Sequence, residues 1–135
     1  MKNVDIDILE HIRNYCSDIQ NTVERFGNDK TIFESDRDFR NSVCMSLLQI
    51  GELTGHLSDE FKEKTREQIY WPAIKGMRNI FAHNYGAVDI DRVWDTISND
   101  ITQLASFCNE TSSVYRKNSA YKVIDARQES NGISK

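Results

Sequence analysis

The chain is 135 residues long, 39% hydrophobic and 28% charged, with a formal net charge of −4 and a pI near 5.4. That length fits one globular domain with its own core, and the acidic total argues against a non-specific nucleic-acid coat. No apolar run approaches the ~18 residues of a membrane span, and the opening MKNVDIDILEHIRNYC lacks the apolar stretch of a signal peptide, so a cytoplasmic protein with no membrane contact is expected.

A single proline, Pro72, and six glycines leave few breaks, which favours an all-α, up-and-down bundle of four to five helices. The first helix is marked by Val4, Ile8, Ile12, Tyr15, Ile19, Val23 and Phe26 at spacings of three and four. Gly27-Asn28-Asp29 stops it. A second helix is predicted from about Asp36 to Leu57 on the stripe Phe39, Val43, Leu47 and Ile50, widened by Cys44, Leu48 and Leu53. Ser58 caps a short third helix with Asp59 and Glu60 in its first turn. Pro72 fits the first turn of a fourth helix with Ile74, Met77 and Phe81 on its core face, stopped at Asn84-Tyr85-Gly86. Asp89 caps a fifth, with Val93, Ile97, Ile101, Leu104 and Cys108 as its stripe and Trp94 beside it. The pattern fades from Thr111, and residues 111–135 read as a polar tail, partly disordered or docked by Val114, Tyr121 and Val123. The helical domain is thus placed at 1–110.

Cys16, Cys44 and Cys108 are widely spaced among apolar residues and read as buried free thiols. No Cys/His pattern has zinc spacing, so no metal is expected. His11 and His56 read as surface or helix-end residues, and Trp71 and Trp94 as core or interface anchors.

The chemistry concentrates in Pro72 to Tyr85, PAIKGMRNIFAHNY. Between Glu67 and Asp89 there is no acid, although the chain holds 21, while Lys75, Arg78 and His83 fall in that stretch. Such a segment attracts anions, although a buried helix would also lack acids. On a continuous α-helix Asn79 and His83 stack on one face, and Arg78 lies ~140° around from His83 at ~100° per residue. Arg, Asn, His and Tyr would then gather at one helix end.

These residue types suit RNA cleavage without a metal. Histidine can take the proton of an attacking 2′-OH or give one to the departing 5′ oxygen. The guanidinium fork neutralises charge on the phosphorane. One histidine per protomer does not easily perform both transfers, which favours a composite site built by two protomers. The residues alone leave two alternatives open: His83 as a packing or capping residue, and a nucleotide-binding site in which the cations are simple anion ligands.

Arg78-Asn79, three residues, His83, one residue and Tyr85 resemble the R-x4-H-x-Y motif of HepT toxins in the HEPN superfamily. Ile50-Gly51-Glu52 looks like that family's I-G-E element, and Trp71-Pro72, Ile74 and Gly76 like its lead into the motif. Val88-Asp89 and Val93-Trp94 are similar to the stretch opening its last helix. The resemblance runs from about residue 4 to residue 110. It implies a homodimer with a composite ribonuclease site of Arg78 and His83, supported by Asn79, with Lys75 on the RNA (tRNA or mRNA) and no cofactor. It also implies a minimal nucleotidyltransferase antitoxin that transfers AMP to Tyr85, and places Gly51 and Glu52 near the dimer interface, where Glu52 could equally pair with Arg or Lys. The alternative within the family is a non-catalytic HEPN subunit that binds the nucleotidyltransferase or a nucleotide.

Overall fold

Helix α1 spans Asn3–Arg25 and buries Ile8, Ile12, Cys16 and Ile19, as three- and four-residue spacing dictates. Val4, at the head of that stripe, is exposed, while Asp5 and Ile6 are buried. Gly27 and Asn28 take positive φ, 79° and 53°, and their N–H groups donate to the carbonyls of Glu24 and Val23, a left-handed helix stop. This computed structural model describes residues 3–79 and 89–133, with side chains through 118; all the structural statements below concern them.

A short helix that the periodicity does not reveal, α2 (Lys30–Ser35), follows, its N-terminal N–H groups capped by Asp29. Asp36 then ends α2 and caps α3 (Arg37–Thr54), accepting from the Phe39 N–H at 2.9 Å. Arg40 holds the corner by donating to the carbonyls of Phe33 and Glu34. Helix α3 buries Phe39, Val43, Cys44, Leu47 and Ile50 as expected.

Two contacts fix α3 antiparallel to α1. At one end Phe26 stacks on Phe39 with ring centroids 4.4 Å apart. At the other the fully buried Asp5 carboxylate accepts from the Ser58 N–H at 2.8 Å and from its hydroxyl at 2.7 Å. A buried carboxylate is tolerated when donors saturate it. The Ser58 hydroxyl oxygen also accepts from the Phe61 N–H, capping α4 (Asp59–Thr65).

After α5 (Trp71–Lys75) and a 3₁₀ turn (Gly76–Asn79), the last described stretch opens with α6 (Ile90–Asp95), capped by Asp89. A π turn, Thr96–Asp100, joins it directly to α7 (Ile101–Ile133). Val93, Ile97, Ile101, Leu104 and Cys108 are all buried. Successive four-residue steps drift ~40° around an α-helix, and the wider i→i+5 turn absorbs that drift where Ile97 and Ile101 must share a face.

The tail begins as a helix docked on α1, though by other residues than Val114. Helix α7 continues to Ile133 without a break at residue 110. Ser112 is buried, Tyr115 half-buried, and Arg116 pairs with Glu10 of α1, whereas Val114 is exposed. The polar composition hid a helix whose inner face is supplied with a surface by α1. Tyr121 and Val123 lie beyond the described side chains.

Helices α1, α3 and α7 form the centre, with α1 packed against both of the others. Aromatic clusters close the two ends: Phe26, Phe33, Phe39 and Trp94 at one, Phe61, Trp71 and Phe107 at the other. Among the described residues no helix is long and apolar enough to cross a membrane.

Candidate functional site

The segment that concentrates the cations is pinned by three buried anchors, Trp71, Ile74 and Met77. Trp71 packs on Phe61 and Phe107, and its indole N–H donates to the Thr65 hydroxyl at 2.8 Å. The anchors recur every third residue. That period matches a 3₁₀ helix, with three residues per turn, better than an α-helix, and the chain tightens into 3₁₀ geometry at Gly76. The continuous α-helix expected from Pro72 onward is therefore replaced by 3₁₀ geometry over Gly76–Asn79, and the angular relation of Arg78 to His83 lies outside the described residues.

The tighter turn brings the backbone of the segment onto α3. Gly51 is buried in the middle of α3, and a Cβ placed on it would stand 2.4 Å from the Arg78 nitrogen and 3.0 Å from its Cα and Cβ. Only glycine permits this approach. One α3 turn later, the Lys75 Cε lies 3.9 Å from the Cβ position of Gly55. Gly51 is thus covered by the Arg78 backbone of its own chain.

Lys75, Arg78 and Asn79 are all exposed. Neither cation forms an ion pair among the described residues. Glu52, beside Gly51, is also exposed and makes no such pair, so the pairing with Arg or Lys considered for it is not formed there. Two cations consequently face solvent on a backbone held rigid from behind, a surface suited to an anionic ligand. His83 and Tyr85 fall outside the described residues, as does Phe81.

The other titratable candidates are inert. Burial pushes Cys44 up to about 11 and Cys108 up to about 12, and burial with Cys108 alongside raises Cys16 further still, so none is a thiolate nucleophile near neutrality. His11 and His56 are exposed. No three His, Cys, Asp or Glu side chains gather as a metal site among the described residues. An open cleft of about 570 Å³ between α4 and α7, lined by Phe61, Thr65, Phe107 and Tyr115 among others, contains none of the candidate residues.

The family description "Ribonuclease HepT-like" matches residues 8–111. The chain belongs to the HepT-like ribonuclease family. The match contains every candidate residue, and α7 carries this HepT-like chain beyond its end. Among relatives, "Putative RNase TTE0752" of Caldanaerobacter subterraneus subsp. tengcongensis is 32% identical over 96 residues, 71% of this chain and 83% of that protein. "Putative RNase MJ1380" of Methanocaldococcus jannaschii is 28% identical, covering 56% of this chain and 69% of its own. "Probable ribonuclease HepT" of Thermococcus cleftensis is 31% identical, covering 53% and 64% respectively. No solved structure matches significantly.

Two features of the HepT-like fold escaped sequence reasoning. The seating of Arg78 on Gly51 was signalled by two glycines four residues apart in a helix with an unusually broad apolar face. The buried Asp5 was hidden in a run where acids alternate with aliphatics.

Proposed function

We propose that this protein is a metal-independent endoribonuclease, the toxin of a toxin–antitoxin pair, acting as a homodimer whose two motif segments form one composite site. The observation that carries the reading is the exposed Arg78, without an ion pair among the described residues, on a backbone set against Gly51, within a chain of the HepT-like ribonuclease family. With the Arg78 backbone and Cβ placed against α3, only the side-chain torsions remain to be ordered when the guanidinium grips a phosphate, which favours transition-state stabilisation.

In this scheme the 2′-OH of the substrate attacks the adjacent phosphorus, and a His83 imidazole takes its proton. Arg78 neutralises the charge that grows on the phosphorane oxygens, and Asn79 supports that pair. The bond to the 5′ oxygen breaks as this oxygen takes a proton from the imidazolium of the other protomer. The products are a 2′,3′-cyclic phosphate and a 5′-OH, and no cofactor is consumed. Lys75 binds the RNA backbone. Silencing follows from a partner nucleotidyltransferase: the Tyr85 hydroxyl attacks the α-phosphorus of ATP, pyrophosphate leaves, and the AMP retained beside Arg78 and His83 brings bulk and negative charge that repel RNA.

The test is incubation of the protein with total RNA and tRNA in EDTA, beside Arg78→Ala and His83→Ala. Cleavage by the wild type alone, leaving cyclic phosphate ends, is expected. An absolute need for divalent metal would refute the mechanism. No cleavage by unmodified protein, together with tight binding of the nucleotidyltransferase that survives His83→Ala, would identify a non-catalytic subunit instead.

A further inference from the structure

Lys75 and Arg78 are three residues apart, at the junction where the helix tightens to 3₁₀. In 3₁₀ geometry residues i and i+3 eclipse, with a rise of about 6 Å between them. Helix α3 imposes the same interval from behind, because Gly51 and Gly55 are four residues apart and an α-helix also rises about 6 Å over four residues. Arg78 lies against Gly51 and the Lys75 stem against Gly55. Two helices of different pitch thus agree on one repeat, and both cations are exposed.

That interval is of the order of one nucleotide step along an extended strand. We propose that the site has two phosphate positions in register: Arg78 takes one phosphate and Lys75 takes its immediate neighbour on the same strand. The ligand class is single-stranded RNA with at least two consecutive phosphodiesters. A duplex holds its phosphates in a fixed helical path, whereas a flexible strand can adapt to the two cations. The inference rests on the nuclease reading for the role of Arg78, but the binding register is separable from cleavage.

A different account of Lys75 is local. Its stem runs beside Gly55, the C-cap of α3, where a cation gains from the negative end of the helix dipole. A residue serving only that purpose would alter stability and bind no phosphate.

The test uses fully 2′-O-methylated oligonucleotides, which cannot be cleaved because the nucleophile is blocked. Affinities of a dinucleotide with one phosphodiester and a trinucleotide with two are compared by NMR titration at low salt, for wild type, Lys75→Ala, Lys75→Arg and Arg78→Ala. The second phosphate is expected to tighten wild-type binding by roughly two- to tenfold. Lys75→Ala abolishes that gain, Lys75→Arg restores it, and Arg78→Ala weakens both ligands. For longer single strands, Lys75→Ala also lowers the slope of log affinity against log salt by about 0.7. The proposal is overturned if the second phosphate adds nothing to wild type, or if Lys75→Ala keeps the gain while only the melting temperature moves. If the pattern holds but unmodified RNA is never cut, the nuclease reading falls and the two-phosphate register stands.

Discussion

Replacing Gly51 by alanine isolates the contact on which the site depends. The new methyl would stand 2.4 Å from the Arg78 nitrogen, while ordinary contact begins at 3.4 Å, so one side must retreat by about 1 Å (3.4 − 2.4). The crowded atoms are backbone, with no rotamer to turn. Helix α3 is held by Val43, Leu47 and Ile50 in the core, so the shorter 3₁₀ segment is the part that gives. Overpacking of this kind costs about 1–3 kcal/mol, and exchanging glycine for alanine inside a helix returns about 1 kcal/mol. The net loss of stability is therefore roughly 0–2 kcal/mol, small enough to leave the bundle folded. Under the proposed mechanism activity responds more strongly, because misplacing a catalytic group by about 1 Å costs on the order of 100-fold. Urea denaturation and initial rates of RNA cleavage read the two effects separately. Gly55→Ala is the matched control: its methyl would lie 3.9 Å from the Lys75 Cε and 3.3 Å from the Glu52 carbonyl oxygen, which small adjustments absorb. A Gly51→Ala protein cutting RNA within threefold of wild type, at unchanged stability, would refute the argument.

Asp5→Ala leaves the half-buried Ser58 donors without their charged acceptor, and is expected to cost about 1.5–3 kcal/mol in chemical denaturation; a loss below 0.5 kcal/mol, on the order of a surface substitution, would contradict the assigned role. Trp71→Phe keeps an aromatic ring beside Phe61 and Phe107 but removes the bond to Thr65, lowering stability by about 1 kcal/mol; Thr65→Val should cost no more when made in that background. All three thiols hold their protons more tightly when folded than at the ordinary value of 9.0. Their contribution is complete below pH 9 and declines as pH rises above it, because only the unfolded chain ionises there. Urea midpoints should accordingly fall above pH 9, and thiol reagents should label the native protein at pH 8 only as fast as it unfolds; rapid stoichiometric labelling would contradict the burial.

The helices that pack on both sides were the easiest to read, because burial forces a period into the residues. The stripes of α3 and of the stretch from Val93 to Cys108 are buried residue for residue. Helix α2 was missed because six residues, with Phe33 alone buried, are too few to show a period. The continuation of α7 was missed because Ser112 and Arg116 meet α1 with polar chemistry, which hydrophobicity does not report. At the site, the identities of Lys75 and Arg78 stood out by charge, yet their geometry did not. The three-residue spacing of Trp71, Ile74 and Met77 was visible, but it becomes decisive only once Gly51 is seen to demand a tighter turn.

The pairing of α1 with α7 also bears on how the protein is made. Glu10 meets Arg116, 106 residues further along, and the apolar stripe of α1 is covered on one side only by that last helix. At ~5–20 residues per second, the ribosome delivers the start of α7 several seconds after the end of α1, and about 1–5 s after Arg78. During that interval the nascent chain shows an open hydrophobic face and an incompletely braced site. Birth of the protein is then a period of exposure: attractive to chaperones and prone to wrong contacts until the C-terminal helix arrives.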